Sequence, residues 1–172
     1  MLDEVPEWRG AALIDAFAER RTDLEDGRPS HSQSDLLAIV ALEIDIGVLS
    51  IEAKVDEGFD KTVGEWMGDG SQGKAVRLAK LTGLLGVPVS SASGLRYQLL
   101  HRTAAALLEA RRYRASKAAM IVQSWCPSRS NFEDYLAFCW ALGLSEPAAN
   151  HLTAQIGVSG VQLRLGWSLE TA

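Results

Sequence analysis

The sequence predicts an α/β domain in which helices flank a mixed central β-sheet, and three observations carry that prediction. First, residues 34–59 (SDLLAIVALEIDIGVLSIEAKVDEGF) contain two strand-like runs joined by a turn. Residues 36–42 are apolar on both faces, as a buried strand requires, and residues 49–55 alternate with period two. Second, two helical stretches follow, residues 73–85 and the longer 95–113. Third, residues 117–125 (KAAMIVQSW) form another apolar run. A strand reached through a long helix calls for a crossover, and so for a parallel or mixed sheet.

In chain order, residues 7–20 (EWRGAALIDAFAER) place Trp8, Ala12, Leu13, Ala16 and Phe17 on one stripe, which predicts a first helix with Asp15 and Glu19 on its polar side. Residues 21–34 are polar, with Gly27 and Pro29, and predict a loop or short strand that ends in His31 and Gln33. A hairpin turn near Ile44-Asp45 sets Asp35 opposite Lys54 and diagonal to Glu52, with all three side chains on one face. Phe59, Val63, Trp66 and Met67 recur at helical spacing. Gly68 to Lys74 matches G-x4-G-K, but Ala75 replaces the magnesium-binding Ser/Thr and no strand leads in, which excludes a P-loop.

Within residues 73–85, Lys74, Arg77 and Lys80 form a basic stripe, and residues 86–94 (GVPVSSASG) are a turn-rich break. Gln98, His101 and Arg102 share a face near the start of the long helix, which ends in Arg111, Arg112 and Arg114. Cys126-Pro127 closes the third strand. Residues 131–142 predict an amphipathic helix, capped by Ser130 or Asn131, whose stripe of Phe132, Tyr135, Leu136 and Cys139 suits a core or a homodimer surface. Residues 161–169 alternate as an edge strand would.

The 172 residues carry 17 Lys/Arg against 22 Asp/Glu, a net charge of −5, unevenly spread. Residues 1–60 hold 5 basic and 15 acidic side chains, residues 61–117 hold 10 and 3, and residues 118–172 hold 2 and 4. Only the middle third would attract a phosphate backbone, with Lys74 and Arg77 as candidate substrate contacts. No apolar run reaches the roughly 20 residues of a membrane span. The acidic start lacks a signal-peptide core, and two cysteines make no disulfide framework, so a reducing cytoplasm is expected. The three histidines and two cysteines have no zinc-site spacing. Neither a nucleophile elbow, nor H-E-x-x-H, nor a dinucleotide fingerprint occurs.

Chemistry concentrates on Asp35, Glu52 and Lys54. Two carboxylates hold Mg²⁺ or Mn²⁺ through hard oxygens, the ion polarises a phosphate and activates water, and a lysine offsets developing charge. The spacing Asp-(16 residues)-Glu-x-Lys on consecutive strands resembles the PD-(D/E)xK superfamily, whose fold is restriction endonuclease-like. Over most of its length, from SQSDLLAIV to LRYQLLHRTAAALLEA, the chain is also similar to a bacterial family of uncharacterised proteins. Ser34 stands where the superfamily often has proline.

The resemblance implies a single nuclease-like domain over residues 1–172 that hydrolyses phosphodiesters, with DNA as partner and no membrane. Asp35, Glu52 and the Ala53 carbonyl would hold the metal, and Lys54 would orient the water. Gln98 would support water or phosphate, with Arg96, His101 and Arg102 on substrate and Glu19 as an acidic helper. Two other readings stand beside it. One is a catalytically inactive nuclease-fold protein that binds a protein or nucleic acid. The other is a structural protein in which Glu52 and Lys54 merely pair.

Overall fold

The computed structural model describes residues 1–125, 129–145 and 147–170, without the side chains of residues 129 and 130. Strands β1 (Ala12–Thr22), β2 (Ser32–Ala41), β3 (Ile46–Lys54), β4 (Lys117–Ser124), β5 (Ile156–Val158) and β6 (Val161–Leu169) form one mixed sheet ordered β1-β2-β3-β4-β6-β5. The first three strands form an antiparallel meander, β4 runs parallel to β3 and β6 parallel to β4, and β5 returns antiparallel. Helices α1 (Val63–Met67), α2 (Gln72–Leu85), α3 (Tyr97–Arg112) and α4 (Arg129–Ala141) complete the fold. The crossover from β3 to β4 runs through α3, as the long helical pattern after the hairpin predicts.

The predicted first helix is not there. Trp8 closes a 3₁₀ turn over Pro6–Trp8, Gly10 adopts a left-handed φ of +68°, and the chain then extends into β1. The apolar spacing of residues 8–17 imitates a helix, but Trp8 serves a different purpose from the rest. It is buried against the sheet face lined by Ala38, Val40, Leu49, Ala119 and Ile121. Its ring lies so close to β3 that a Cβ on Gly47 would come within 2.7 Å of it. Pairing with β2 along β1 outweighs the local helical preference.

Three further expectations shift. Residues 161–169 form an interior strand between β4 and β5, and the short β5 takes the edge. The hairpin register pairs Leu36 with Ile51 and Ala41 with Ile46, which centres the turn on Glu43-Ile44, one residue earlier than expected. Asn131 lies inside α4, and its side chain donates to the Glu57 carbonyl at 3.1 Å. The cap expected from Ser130 and the closure at Cys126-Pro127 lie outside the described residues.

The main core fills the other face of the sheet. Leu37, Ile39, Val48, Met120, Val122, Leu163 and Leu165 meet α3 there. Ala104, Ala105 and Ala106 are fully buried, and their small side chains let α3 lie close to the strands. Within α4, Tyr135, Phe138 and Cys139 belong to this core, while Trp140 is exposed. Gly68 and Gly70, both with positive φ, form the turn from α1 into α2, so the G-x4-G-K match is a helix-to-helix turn.

Candidate active site at the carboxyl end of β3

A local irregularity in β1 and β2 positions the site. Their ladder pairs Ala18 with Leu36 and Arg20 with Ser34, leaving Glu19 and Asp35 out, and Glu19 has a φ of +53°. Strict alternation would place Phe17 and Arg20 on opposite faces. Yet Phe17 packs on the main core, and Arg20 reaches Glu109 of α3. Leu37 and Ser34, three residues apart, likewise both come to the α3 side, although the register itself is kept across the gap, and Ser34 Oγ lies 2.8 Å from Ser50 Oγ in the interior. A break of this kind releases one residue from the ladder and re-aims its side chain. Here the released residue is Asp35. Its Oδ2 accepts from the backbone N–H of Ala53 at 2.8 Å, so it meets the β3 backbone rather than the Lys54 side chain predicted opposite it.

Glu52 and Lys54 lie on the α3 face at the carboxyl end of β3, and both are buried. Lys54 Nζ donates to Glu52 Oε1 at 3.1 Å. Glu57 Oε1 is 3.8 Å from the same ammonium, which also lies over the Phe59 ring at 5.5 Å. From the first two turns of α3, Gln98 Nε2 donates to Glu52 Oε1 at 2.5 Å and Arg102 Nε donates to Glu52 Oε2 at 2.6 Å. One buried carboxylate thus receives three side-chain donors, two of them cationic. The Glu57 backbone amide first, then the Asp56 amide and the Lys54 charge, hold the Glu57 carboxyl below its usual range. Gln98 Oε1 is buried without a hydrogen-bond partner among the described residues. Turning that amide over would set Oε1 against the carboxylate, so the unpaired acceptor is a property of the site.

A second layer holds Arg102. Its Nη1 donates to Ser32 Oγ at 3.2 Å, and Ser32 Oγ lies 2.8 Å from His101 Nδ1. Burial, with Arg102 and Arg77 nearby, pushes the His101 pKa down to about 3, so the imidazole is neutral and can accept the serine proton. His101 also leans on Tyr97 at a ring separation of 4.9 Å, and Tyr97 stacks on Trp66 at 4.0 Å.

Several predicted contacts are occupied elsewhere. Arg77 is buried in an ion pair with Asp26 and also donates to Ser30. Asp26 is held below its usual pKa mainly by that contact. Lys80 pairs with Glu25, so the acidic loop before β2 neutralises much of the basic stripe of α2. Lys74 donates to the Met67 carbonyl at 3.2 Å, beside Asp69 and over Trp66. Arg96 spans Asp134 at 2.9 Å and the Asp60 carbonyl at 3.0 Å. Glu19 accepts from Gln33 on the exposed side of β1. His31 is exposed.

Sequence reasoning missed Ser32, placing it in a polar loop, and Glu109, buried near the far end of α3. Arg20 donates twice to Glu109 at 3.2 Å and Thr22 Oγ1 once at 2.9 Å. Nothing in the pattern LLEARR separates this glutamate from an exposed one.

No group of three or more His, Cys, Asp or Glu side chains able to hold a metal occurs among the described residues. Mg²⁺ keeps several waters and needs one or two carboxylates. Glu52 Oε2 has a second lone pair, Asp35 Oδ1 has no hydrogen bond among the described residues, and Gln98 Oε1 offers a further oxygen. These oxygens are of the kind that Mg²⁺ or Mn²⁺ takes. Among the described residues no helix is long and apolar enough to cross a membrane.

One family model, Domain of unknown function (DUF6946), matches residues 1–172. The chain belongs to this family. Neither the comparison with curated proteins nor that with solved structures returned a match. Within the family's single span lie all the elements that build the site, from β1 to β6.

Proposed function

We propose that this DUF6946 protein is a metal-dependent phosphodiesterase, a nuclease acting on DNA, on a restriction endonuclease-like fold. One observation carries the reading: Glu52, Lys54 and Gln98, brought from β3 and α3, converge within 3.1 Å in a buried cluster. Burying ionised groups is costly, and a cluster that places them together without closing every hydrogen bond is more typical of a working site than of a core. The antiparallel meander, the helical crossover and the parallel fourth strand also support it. So does the location beside the carboxyl ends of β3 and β4, where open α/β sheets place ligands.

Asp35 and Glu52, with the Ala53 carbonyl, would hold Mg²⁺ or Mn²⁺, which supplies phosphate polarisation and a more acidic water. Lys54 orients the attacking water and offsets charge on the phosphate. Gln98 Oε1, with no other donor, accepts a hydrogen bond from that water and fixes its lone pair. Arg102 lies next to them as a cation for a phosphate oxygen. Arg96 and His101 are bound to Asp134 and Ser32, and Arg77 and Lys74 to loop acids and carbonyls, so direct substrate contact falls to Arg102 first.

The test is Mg²⁺-dependent cleavage of single- and double-stranded DNA by wild type and Lys54→Ala. The expected loss is about 10²–10⁴-fold with an unchanged circular-dichroism spectrum. Cleavage that survives the substitution places the chemistry elsewhere. A second reading, an inactive nuclease-fold protein that binds a protein or nucleic acid, is favoured by the three donors already on Glu52. Mn²⁺ calorimetry on wild type and Asp35→Asn separates the two. Binding that is lost in the variant supports catalysis, and a folded wild type that binds no ion supports the second reading.

A further inference from the structure

We infer that Arg102 is an internal counter-cation that competes with the divalent metal for Glu52, so that the metal binds by displacing its guanidinium. The inference rests on the phosphodiesterase reading and adds to it a device that sets metal affinity.

The donor count narrows the metal to one oxygen, and the charge balance there argues for displacement. Glu52 Oε1 already accepts from Lys54 and Gln98, which fills both its lone pairs. Only Oε2 has capacity left, and Arg102 Nε lies 2.6 Å from it. A divalent ion on Oε2 would share a poorly solvated site with two fixed positive charges, Lys54 and Arg102, against the charges of Glu52, Asp35 and the exposed Glu57. Lys54 is confined by Glu52, Glu57 and Phe59. Arg102 is the cation that can leave. Its other hold is a single long hydrogen bond to Ser32, and its side chain keeps 11% of its surface in solvent, against 5% for Lys54. His101, the remaining titratable group on this side, is neutral and adds no charge. A released guanidinium suits a phosphate oxygen bidentately, so the same movement would open the metal position and furnish a substrate contact.

The experiment is Mn²⁺ calorimetry on the full chain, with wild type, Arg102→Met and Ser32→Ala compared in one buffer. Arg102→Met removes the competing charge and should tighten Mn²⁺ binding roughly tenfold or more, the scale on which groups around a metal site act. Ser32→Ala, which only loosens the guanidinium, should tighten it less. Adding Asp35→Asn to Arg102→Met should abolish the gain, assigning the ion to this site. Mn²⁺ binding that appears only in Arg102→Met supports the inference equally. Equal or weaker binding in both folded variants, beside a binding wild type, overturns the inference and leaves the phosphodiesterase reading in place. Absence of binding in all three overturns both. If Arg102→Met does not fold, Ser32→Ala decides alone: tighter binding supports, unchanged binding overturns.

Discussion

Two glutamates are buried between the sheet and α3, Glu52 from β3 near the start of the helix and Glu109 from the helix itself near its end, and they are treated differently. Glu109 is enclosed by Arg20, which reaches it with two nitrogens, by the Thr22 hydroxyl, and at the rim by Arg112 at 4.0 Å. Glu52 is enclosed by Lys54, Gln98 and Arg102, but its cluster includes an amide oxygen without a partner among the described residues, and beside it lies a carboxylate out of the ladder. The Glu109 cluster ties the first strand to the helix and has no buried side-chain polar atom without a partner among the described residues. At Glu52 the charges exceed what pairing requires and hydrogen-bonding capacity is unused. Similar burial thus makes a clasp in one place and, on the reading proposed above, a site for chemistry in the other.

The largest effect expected from breaking this contrast is on stability at the clasp. Glu109→Gln leaves the Arg20 guanidinium half-sheltered without its counter-charge. It should lower the unfolding free energy by about 2–4 kcal/mol in urea titration while Mg²⁺-dependent cleavage per folded molecule is retained. Next comes pH. His101 binds a proton only near pH 3 when folded but near 6.5 when unfolded, so the unfolded chain takes up more protons between those values. The contribution is therefore fully present above about pH 6.5 and is lost as pH falls towards 3. By pH 5 wild type should lose about 1–2 kcal/mol that His101→Gln does not lose, read as a urea midpoint at pH 7 and pH 5. Thr22→Ala removes one hydrogen bond from a pair that stays bidentate, and should cost about 1 kcal/mol. The smallest stability effect belongs to the active cluster. Lys54→Ala leaves Glu52 with Arg102, and should shift the unfolding midpoint least of these, while the proposed nuclease reading expects it to abolish cleavage. A Lys54 variant as unstable as Glu109→Gln would make the two clusters the same kind of object.

The central hairpin, the crossover helix and the third strand were legible because each has a periodicity of its own. Residues 36–42 and 117–124 are continuous apolar runs, and residues 97–112 keep a helical stripe. Glu52 and Lys54 could be placed on one face for the same reason, two residues apart on a regular strand. Gln98 came from the resemblance to the nuclease superfamily, and the passage of α3 over β3 brings it to Glu52. The first strand was not legible. Its residues 12–18 are almost all exposed, so no burial pattern marks it, and the buried Trp8 completes a false helical stripe. Asp35 was placed by counting along two strands from a turn that sits one residue earlier, and it also leaves the ladder opposite Glu19, where a non-glycine residue takes a left-handed conformation that no local signal announces.

The sequence alone determined the fold class and the content of the site. Alternation and helical spacing are local properties of the chain, and Glu-x-Lys shares a face wherever a strand forms. Only the tertiary structure decided what each charge meets. It turned Asp35 onto the Ala53 amide, committed Arg77 and Lys80 to the acidic loop, and set Arg102 on Glu52. Those choices depend on register breaks and on partners 18 to 55 positions apart. Which side chains become neighbours at such distances is settled by burying apolar surface and satisfying polar groups across the whole domain, and periodicity within a single segment carries no record of it.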